Sequence, residues 1–411
     1  MPYEPTTNFN DSNGVDLGKK LVTKDYLLSV YGTILDSIGN SGLTVSPALW
    51  TWGRNDIGQL GINDNTNRST PVTTILGGTN WKFVAGGYDL TAAVKTDGTL
   101  WLWGANLYGQ LGINSTTDKI TPVTTFAGGT NWKSVACGGF HVTAIKTDGT
   151  LWTWGDNYFG QLGINSTTPK STPVTTILGG TNWKSVSNGD YHTVAIKTDG
   201  TLWTWGYNNS GQLGVNNTTD RRTPVTTFAG GTNWKFIAGG GNHTEAIKTD
   251  GTLWTWGFNG AGAIGINNFI DKSTPVTTFA GGTNWKSVAC GGLHVTAIKT
   301  DGTLWTWGWN FYGQLGINKG GDVVAAISTP VTTFAGGTNW KSVGRGKRYM
   351  VAIKTDGTLW TWGGNNLYGQ LGINSTTDKS TPVTTILGGT NWKQVAGGTD
   401  HTAAIQSVDI I

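Results

Sequence analysis

The chain is 411 residues long, enough for two or three ordinary domains, yet only 13% of it is charged and its formal net charge is +4. So small a charge excludes the broad basic surface that nucleic acid or an anionic membrane demands. Glycine (64) and tryptophan (22) are far above ordinary usage, which implies many short strands joined by tight turns.

Residues 1–22 are polar and extended, without the apolar core of a secretory signal, and no apolar run along the chain is long enough to span a bilayer. From Lys24 to Ile38 the spacing predicts a helix: Leu27, Tyr31, Ile34 and Ile38 share one face, and Thr23 stands at the cap position. Such a helix either covers the rim of the following domain or is an arm that fixes the chain in a larger assembly. The expected division is an arm over residues 1–49 and a repeat domain over residues 50–411.

From Trp50 onward the chain repeats itself. Trp-x-Trp-Gly begins at Trp50, Trp101, Trp152, Trp203, Trp254, Trp305 and Trp360, at intervals of 51 residues and finally 55. Asn-Trp-Lys supplies Trp81, Trp132, Trp183, Trp234, Trp285, Trp340 and Trp392. Within one unit, His141–Lys146 alternates like a strand, Asp148-Gly149 signals a type I′ hairpin turn, and Leu151–Trp154 is the returning strand. Two further short strands, around Val174 and from Trp183, complete a four-stranded unit the size of a propeller blade. The first Trp strand lacks a preceding partner, and the last repeat ends on an unpaired His401–Gln406. Pairing the two closes a ring and leaves no ragged edge. The expected fold is therefore all-β, a closed seven-bladed propeller with four-stranded blades plus a short N-terminal helical arm. Cys137 and Cys290 hold the same repeat position three repeats apart, beyond disulfide reach, and are read as buried free thiols.

The pattern Gly-x-x-His-x-x-Ala-Ile-x-x-x-Gly-x-Leu-Trp-x-Trp-Gly-x-Asn-x-x-Gly-Gln-Leu-Gly, met by residues 138–163, resembles the RCC1 repeat. The resemblance implies a seven-bladed propeller whose relatives serve nucleotide exchange on a small GTPase, chromatin docking or other protein binding; fold alone does not choose among these. Leu90 and Tyr349 replace the family His, Gly262-Ala263-Ile264-Gly265 replaces Gly-Gln-Leu-Gly, and the sixth repeat carries four extra residues within 319–328. The segment Asp16–Leu28 resembles the openings of RCC1-like proteins carried by tailed bacteriophages.

Catalytic chemistry is not expected. His141, His192, His243, His294 and His401 share one framework position and read as hydrogen-bonded structural residues, so no metal or cofactor is assigned to them. The Asp of each Thr-Asp-Gly is a turn residue. Substitution gathers instead in the loop after each Trp-Gly: Arg54 and Ile57, Leu107 and Tyr108, Tyr158 and Phe159, Tyr207, Phe258, Trp309, Phe311 and Tyr312, Leu367 and Tyr368. Varied loops on an invariant frame suit a binding face for a protein or a host-surface glycan, although the rings could also pack under their own hairpins. A second candidate contact lies in the sixth repeat, at Val323, Val324, Arg345, Lys347, Arg348 and Tyr349. Two functions follow as expectations. One is a structural or adhesive component of a tailed-phage virion, anchored by the arm; the other is a cytoplasmic regulator that binds a small GTPase or another protein.

Overall fold

The computed structural model describes residues 48–78, 80–320 and 325–407. The expected helix with Leu27, Tyr31, Ile34 and Ile38, the anchoring role given to it, and Val323 and Val324 all lie outside the described residues.

Strands form where Trp, Val, Ile and Thr alternate, and each unit folds as an antiparallel four-stranded sheet. In blade 1 the order is β3 (Trp81–Gly86), β4 (Leu90–Lys95), β5 (Leu100–Gly104) and β6 (Lys119–Thr124). Five more blades repeat this order. The seventh joins the chain ends: β27 (Trp392–Gly397) and β28 (His401–Gln406) continue into β1 (Ala48–Gly53) and β2 (Arg68–Thr73). Trp50 pairs with Ala404 and Gly53 with His401, so the closure expected from the unpaired strands is present. The first strand of each blade neighbours the first strands on either side, and these seven surround the axis.

The hairpin turns differ from the type I′ expectation. Gly98 is left-handed (φ 80°) but Asp97 is not, and the Gly98 amide donates to the Lys95 carbonyl at 3.0 Å. This is a type I turn followed by a left-handed glycine, favoured because Asp97 Oδ1 accepts from both the amide and the hydroxyl of Thr99, at 2.9 and 2.7 Å. A Cβ at Gly98 would strike the Thr130 carbonyl oxygen at 2.0 Å, so only glycine fits.

Blades are joined by cores and by rings of hydrogen bonds. Leu90, Val94, Leu100 and Leu111 of blade 1 pack with Trp132, Val135, Val142 and Trp154 of blade 2, and equivalent clusters fill the other interfaces. The second Trp of each Trp-x-Trp reaches back into the preceding repeat: Trp154 Nε1 donates to the Gln110 carbonyl at 2.9 Å, and Trp52 closes the circle on Gln370 at 2.9 Å. Burial of an indole removes roughly 150–250 Å² from water, worth about 4–6 kcal/mol at about 25 cal/mol/Å² before ordering costs. Because the acceptor is backbone, Ala263 serves Trp307 as Gln does elsewhere, which accounts for the tolerated Gly-Ala-Ile-Gly. Asn114, Asn165 and Asn374 sit at φ 54–58° and donate their amides to the neighbouring blade. Cys137 and Cys290 are buried free thiols.

Candidate docking face

The loop after the first strand of each blade and the loop after its Trp-Gly lie at the same face. The Ala105 amide donates to the Asp89 carbonyl at 2.8 Å, the Tyr207 amide to Tyr191 at 3.0 Å and the Trp309 amide to Leu293 at 2.9 Å. Around the axis the first-strand loops bond to one another in a closed belt, running from Tyr88 to Gly139, Asp190, Gly240 and Gly241, Gly291 and Gly292, Lys347, Gly398 and Thr399, and back to Tyr88. Glycine at most of these positions permits the close approach, so the few larger side chains converge on the axis.

These side chains tie non-adjacent blades together. The Tyr88 hydroxyl donates to the Asp190 carboxylate two blades away, and Lys347 Nζ lies 3.6 Å from the Tyr88 ring centroid. Arg345 Nη1 donates to the carbonyls of Asn188 and Gly239, each at 2.9 Å. Burial pushes the Tyr88 hydroxyl up and the Lys347 ammonium down. Beside them, Arg54 pairs with Asp89 at 3.3 Å and Asp56 at 2.7 Å, while burial raises the carboxyls of Asp89 and Asp400 above the usual range.

The expected sixth-repeat contact is thereby divided. Arg345 and Lys347 point into the axis. Arg348 lies over the Tyr312 ring at 5.8 Å, and Tyr349 is wholly buried, its hydroxyl bonded to Thr402 Oγ1 at 2.8 Å. Tyr349 belongs to the framework, not to a surface.

The variable aromatics form short clusters. Tyr88, Phe140, Tyr108 and Tyr158 follow one another at centroid spacings of 5.1, 5.3 and 5.9 Å. Phe159, Tyr191 and Tyr207 form a triangle of 4.6–6.3 Å. Trp309, Phe311 and Tyr312 make a third group, Tyr368 receives Arg54 at 5.4 Å, and Phe258 lies against Gly260. Most of these rings are half-buried. Leu107, Tyr158, Phe311 and Leu367, all just after the loop Asn, are exposed. The Asn side chains themselves are unavailable: Asn106 is buried, its Oδ1 accepting from the Leu111 amide at 2.9 Å and its Nδ2 donating to the Ser115 and Thr117 carbonyls at 2.9 and 3.0 Å. Between the loops of blades 2 and 3 lies an open groove of about 420 Å³, lined by Tyr158, Phe159, Tyr207, Asn209, Asp220 and Arg222 among others. Sequence reading singled out three of these six and missed Asn209, Asp220 and Arg222, as it missed Tyr88, Phe140, Asp190 and Tyr191. For all but Asp220 the signal lies in the same comparison between copies, since they stand where sibling repeats carry other residue types; Asp220 is shared with Asp118, Asp271 and Asp378 and accepts from the Asn208 amide at 2.8 Å.

The shared histidines prove to be of two kinds. His141, His192 and His401 each place Nε2 2.9–3.0 Å from a Thr hydroxyl of the next blade (Thr193, Thr244, Thr91), and that hydroxyl donates to a Gln carbonyl. Desolvation lowers these imidazoles to about 3, 3 and 4 respectively. His243 and His294 depart from the hydrogen-bonded expectation, because Val295 and Met350 occupy the place of the Thr and, among the described residues, neither ring nitrogen of either has a partner.

The comparisons with known proteins agree with this architecture. The RCC1-like domain model matches residues 122–409, and the regulator of chromosome condensation (RCC1) repeat matches residues 48–94 and 97–145. The ultraviolet-B receptor UVR8 of Arabidopsis thaliana is 33% identical over 339 residues, 81% of this chain and 76% of the receptor. The E3 ubiquitin-protein ligase HERC2 of Homo sapiens is 29% identical over 383 residues, 90% of this chain and 8% of the ligase. Human WBSCR16 superimposes with a TM-score of 0.77 at 21% identity, covering 89% of this chain and 100% of that one. Yeast RCC1 (Prp20), solved bound to Kap60, gives 0.76 at 19% identity, covering 90% and 92%. These relatives overturn the expectation of a virion structural or adhesive protein of a tailed phage. The sequence relatives are a receptor and a ubiquitin ligase, and they favour the regulator instead. With a family model covering more than half its length, the chain belongs to the RCC1-like domain family.

Proposed function

We propose that this protein is a non-catalytic RCC1-like regulator that binds a protein partner across the face bearing the aromatic clusters and the groove between blades 2 and 3. The observation that carries this reading is the location of the departures from the repeat. They gather on one face, where half-buried Tyr and Phe rings stand beside Arg222, Arg54 and Arg348. Aromatic residues and arginine are the types that dominate the energetic centres of protein interfaces. The relatives support it in kind: one is a receptor, and the similar yeast propeller Prp20p has binding properties toward Gsp1p and histones.

The test is affinity capture on immobilised full-length protein, comparing wild type with a Tyr158→Ala/Tyr207→Ala/Arg222→Ala variant and with Phe228→Ala, an exposed site at the opposite rim. A partner held by wild type and Phe228→Ala but weakened at least about tenfold by the triple variant supports the proposal. Equal retention by all three removes this face from consideration.

A further inference from the structure

Blades 4 and 5 meet at a cluster found at no other blade junction. Strand β16 (His243–Lys248) contributes His243 and Glu245, two residues apart and so on one side of the strand. Strand β19 (Trp285–Cys290) contributes Cys290. One donor atom from each lies within 4.8 Å of the others, and His243 Nε2 stands 3.9 Å from Glu245 Oε2, with the Cys290 thiol directly against that same oxygen. His243 and Glu245 are fully buried and Cys290 is 1% exposed.

Three departures from the repeat produce this meeting. Glu245 stands where the other blades carry Ala92, Thr143, Val194, Thr296, Val351 and Ala403. Val295 withdraws the hydroxyl that satisfies His141, His192 and His401. Cys290 stands where only blade 2 has another thiol, Cys137. That second cysteine is an internal control, because at its junction the counterparts of His243 and Glu245 are Leu90 and Ala92, and Cys137 packs with them in an apolar cluster. A buried carboxyl with no cation, against a thiol and an imidazole whose two nitrogens are unpartnered, is costly unless something gathers all three.

We propose that His243, Glu245 and Cys290 bind a divalent transition-metal ion of the zinc class, a structural ion clamped between blades 4 and 5. The donor set of nitrogen, carboxylate oxygen and thiolate matches zinc and excludes calcium and magnesium, which take oxygen ligands. Donor atoms around tetrahedral zinc, at bond lengths of about 2.0–2.3 Å, lie roughly 3.3–3.7 Å apart. The triangle of side chains needs only small shifts to meet that spacing. Charge also balances: a carboxylate and a thiolate neutralise the ion, and a neutral imidazole completes the protein ligands. The Ala238 carbonyl lies 3.6 Å from Cys290 Sγ, and Thr255 Oγ1, donating to Glu245 Oε1 at 3.2 Å, orients the carboxylate. With no open route to the site, the ion enters as the blades close.

The test loads the full chain during folding, by expression in zinc- or cobalt-supplemented medium, followed by gel filtration and elemental analysis. About one equivalent of metal per chain is expected. The cobalt form should show a thiolate-to-cobalt charge-transfer band and the intense visible bands of tetrahedral coordination. Cys290→Ser and Glu245→Ala should each fall below about a tenth of an equivalent and lose the charge-transfer band, while Cys137→Ser keeps both. If Glu245→Ala fails to fold, Cys290→Ser, a near-isosteric change, still decides the matter. Wild type that stays metal-free in both media, a cobalt spectrum without the thiolate band, or a Cys290→Ser protein that still holds one equivalent would overturn the proposal.

Discussion

Replacing Thr244 with Val should destabilise the propeller through a residue that Val does not touch in sequence, His192. The Thr244 hydroxyl has one proton, and it goes to the Gln212 carbonyl at 2.8 Å. Its lone pair must therefore accept from His192 Nε2, 2.9 Å away, which assigns the proton of that imidazole to Nε2. In Thr244→Val the Nε2–H loses its acceptor inside a site with no solvent access, a cost of about 1–3 kcal/mol, and the Thr–Gln bond is lost for about 1 kcal/mol more. Gln212 keeps its bond from Trp256 Nε1 at 2.9 Å, so no carbonyl is orphaned. The total is about 2–4 kcal/mol. The chain already carries the remedy: at the junction of blades 1 and 2 the equivalent pair is Leu90 and Val142, both apolar and both buried. His192→Leu/Thr244→Val should recover about 1–3 kcal/mol relative to the sum of the single changes, because replacing both partners removes the orphan. Guanidinium unfolding followed by tryptophan fluorescence measures it, with stability read from the midpoint at constant slope. A Thr244→Val cost below about 0.5 kcal/mol, or a double variant no better than additive, refutes the reasoning.

The same histidines set a pH dependence. His141, His192 and His401 titrate at about 3, 3 and 4 when folded against 6.5 ordinarily, so below pH 6.5 the unfolded chain binds protons that the folded chain refuses. Stability is therefore full above pH 6.5 and falls as pH drops toward 4, by up to about 1.4 kcal/mol per unit for each imidazole; unfolding midpoints that stay flat between pH 6.5 and 5 contradict this. Gly163→Ala places a Cβ 2.9 Å from Trp205 Nε1 at a φ of 67°, whereas Gly179→Ala has open space at a φ of 55°. The first should cost about 3 kcal/mol or more and the second only the roughly 1–2 kcal/mol of a left-handed residue, and equal thermal shifts would show that the Trp pocket gives way. Arg345→Gly, the residue found at this position in blades 1, 4 and 7, severs two charge-assisted bonds across the axis and should cost about 2–4 kcal/mol in denaturant unfolding. An unchanged midpoint would mean the axial ties are surface decoration.

The fold was legible because the information that specifies it is written seven times. Trp-x-Trp-Gly fixes the third strand, Asn-Trp-Lys the first, and the orphaned strand at His401 could be paired with Trp50 only by closing a ring. The turn type was not legible: Asp-Gly suits either a two-residue or a three-residue hairpin, and the choice rests on Asp97 capping Thr99, a contact formed only once the loop exists. The candidate face was half legible. Comparing copies located the variable rings, but not that Phe159, Tyr191 and Tyr207 would meet, because Tyr191 comes from a different loop of the same blade. Arg345 and Lys347 stand out in the sequence as a candidate protein contact, and only the ring geometry shows that they reach across the axis to blades 3 and 1.

Near-identity of the copies does not mean that each position is independently constrained; the constraint falls on pairs that meet across a blade junction. Where Leu90 replaces His, Val142 replaces Thr in the next blade. Where Tyr349 replaces His, Thr402 is kept and the phenol bonds to it at 2.8 Å. Where Ala263 replaces Gln, the bond from Trp307 survives because it uses the carbonyl. These three departures keep their junctions satisfied, whereas Val295 and Met350 leave His243 and His294 without a hydroxyl partner. The outward loops meet across junctions through aromatic rings, as Tyr108 meets Tyr158 and Phe159 meets Tyr207, and that is where residue types diversify most. Glu245 lies in the frame and is buried, and beside the hydrogen bonds it accepts from Thr255 and the Cys290 thiol it faces His243, whose ring nitrogens are free. His294 at the next junction, opposite Met350, is likewise unpartnered, but among the described residues it is at this junction that an imidazole, a carboxyl and a thiol stand together, the arrangement to which the proposed ion belongs.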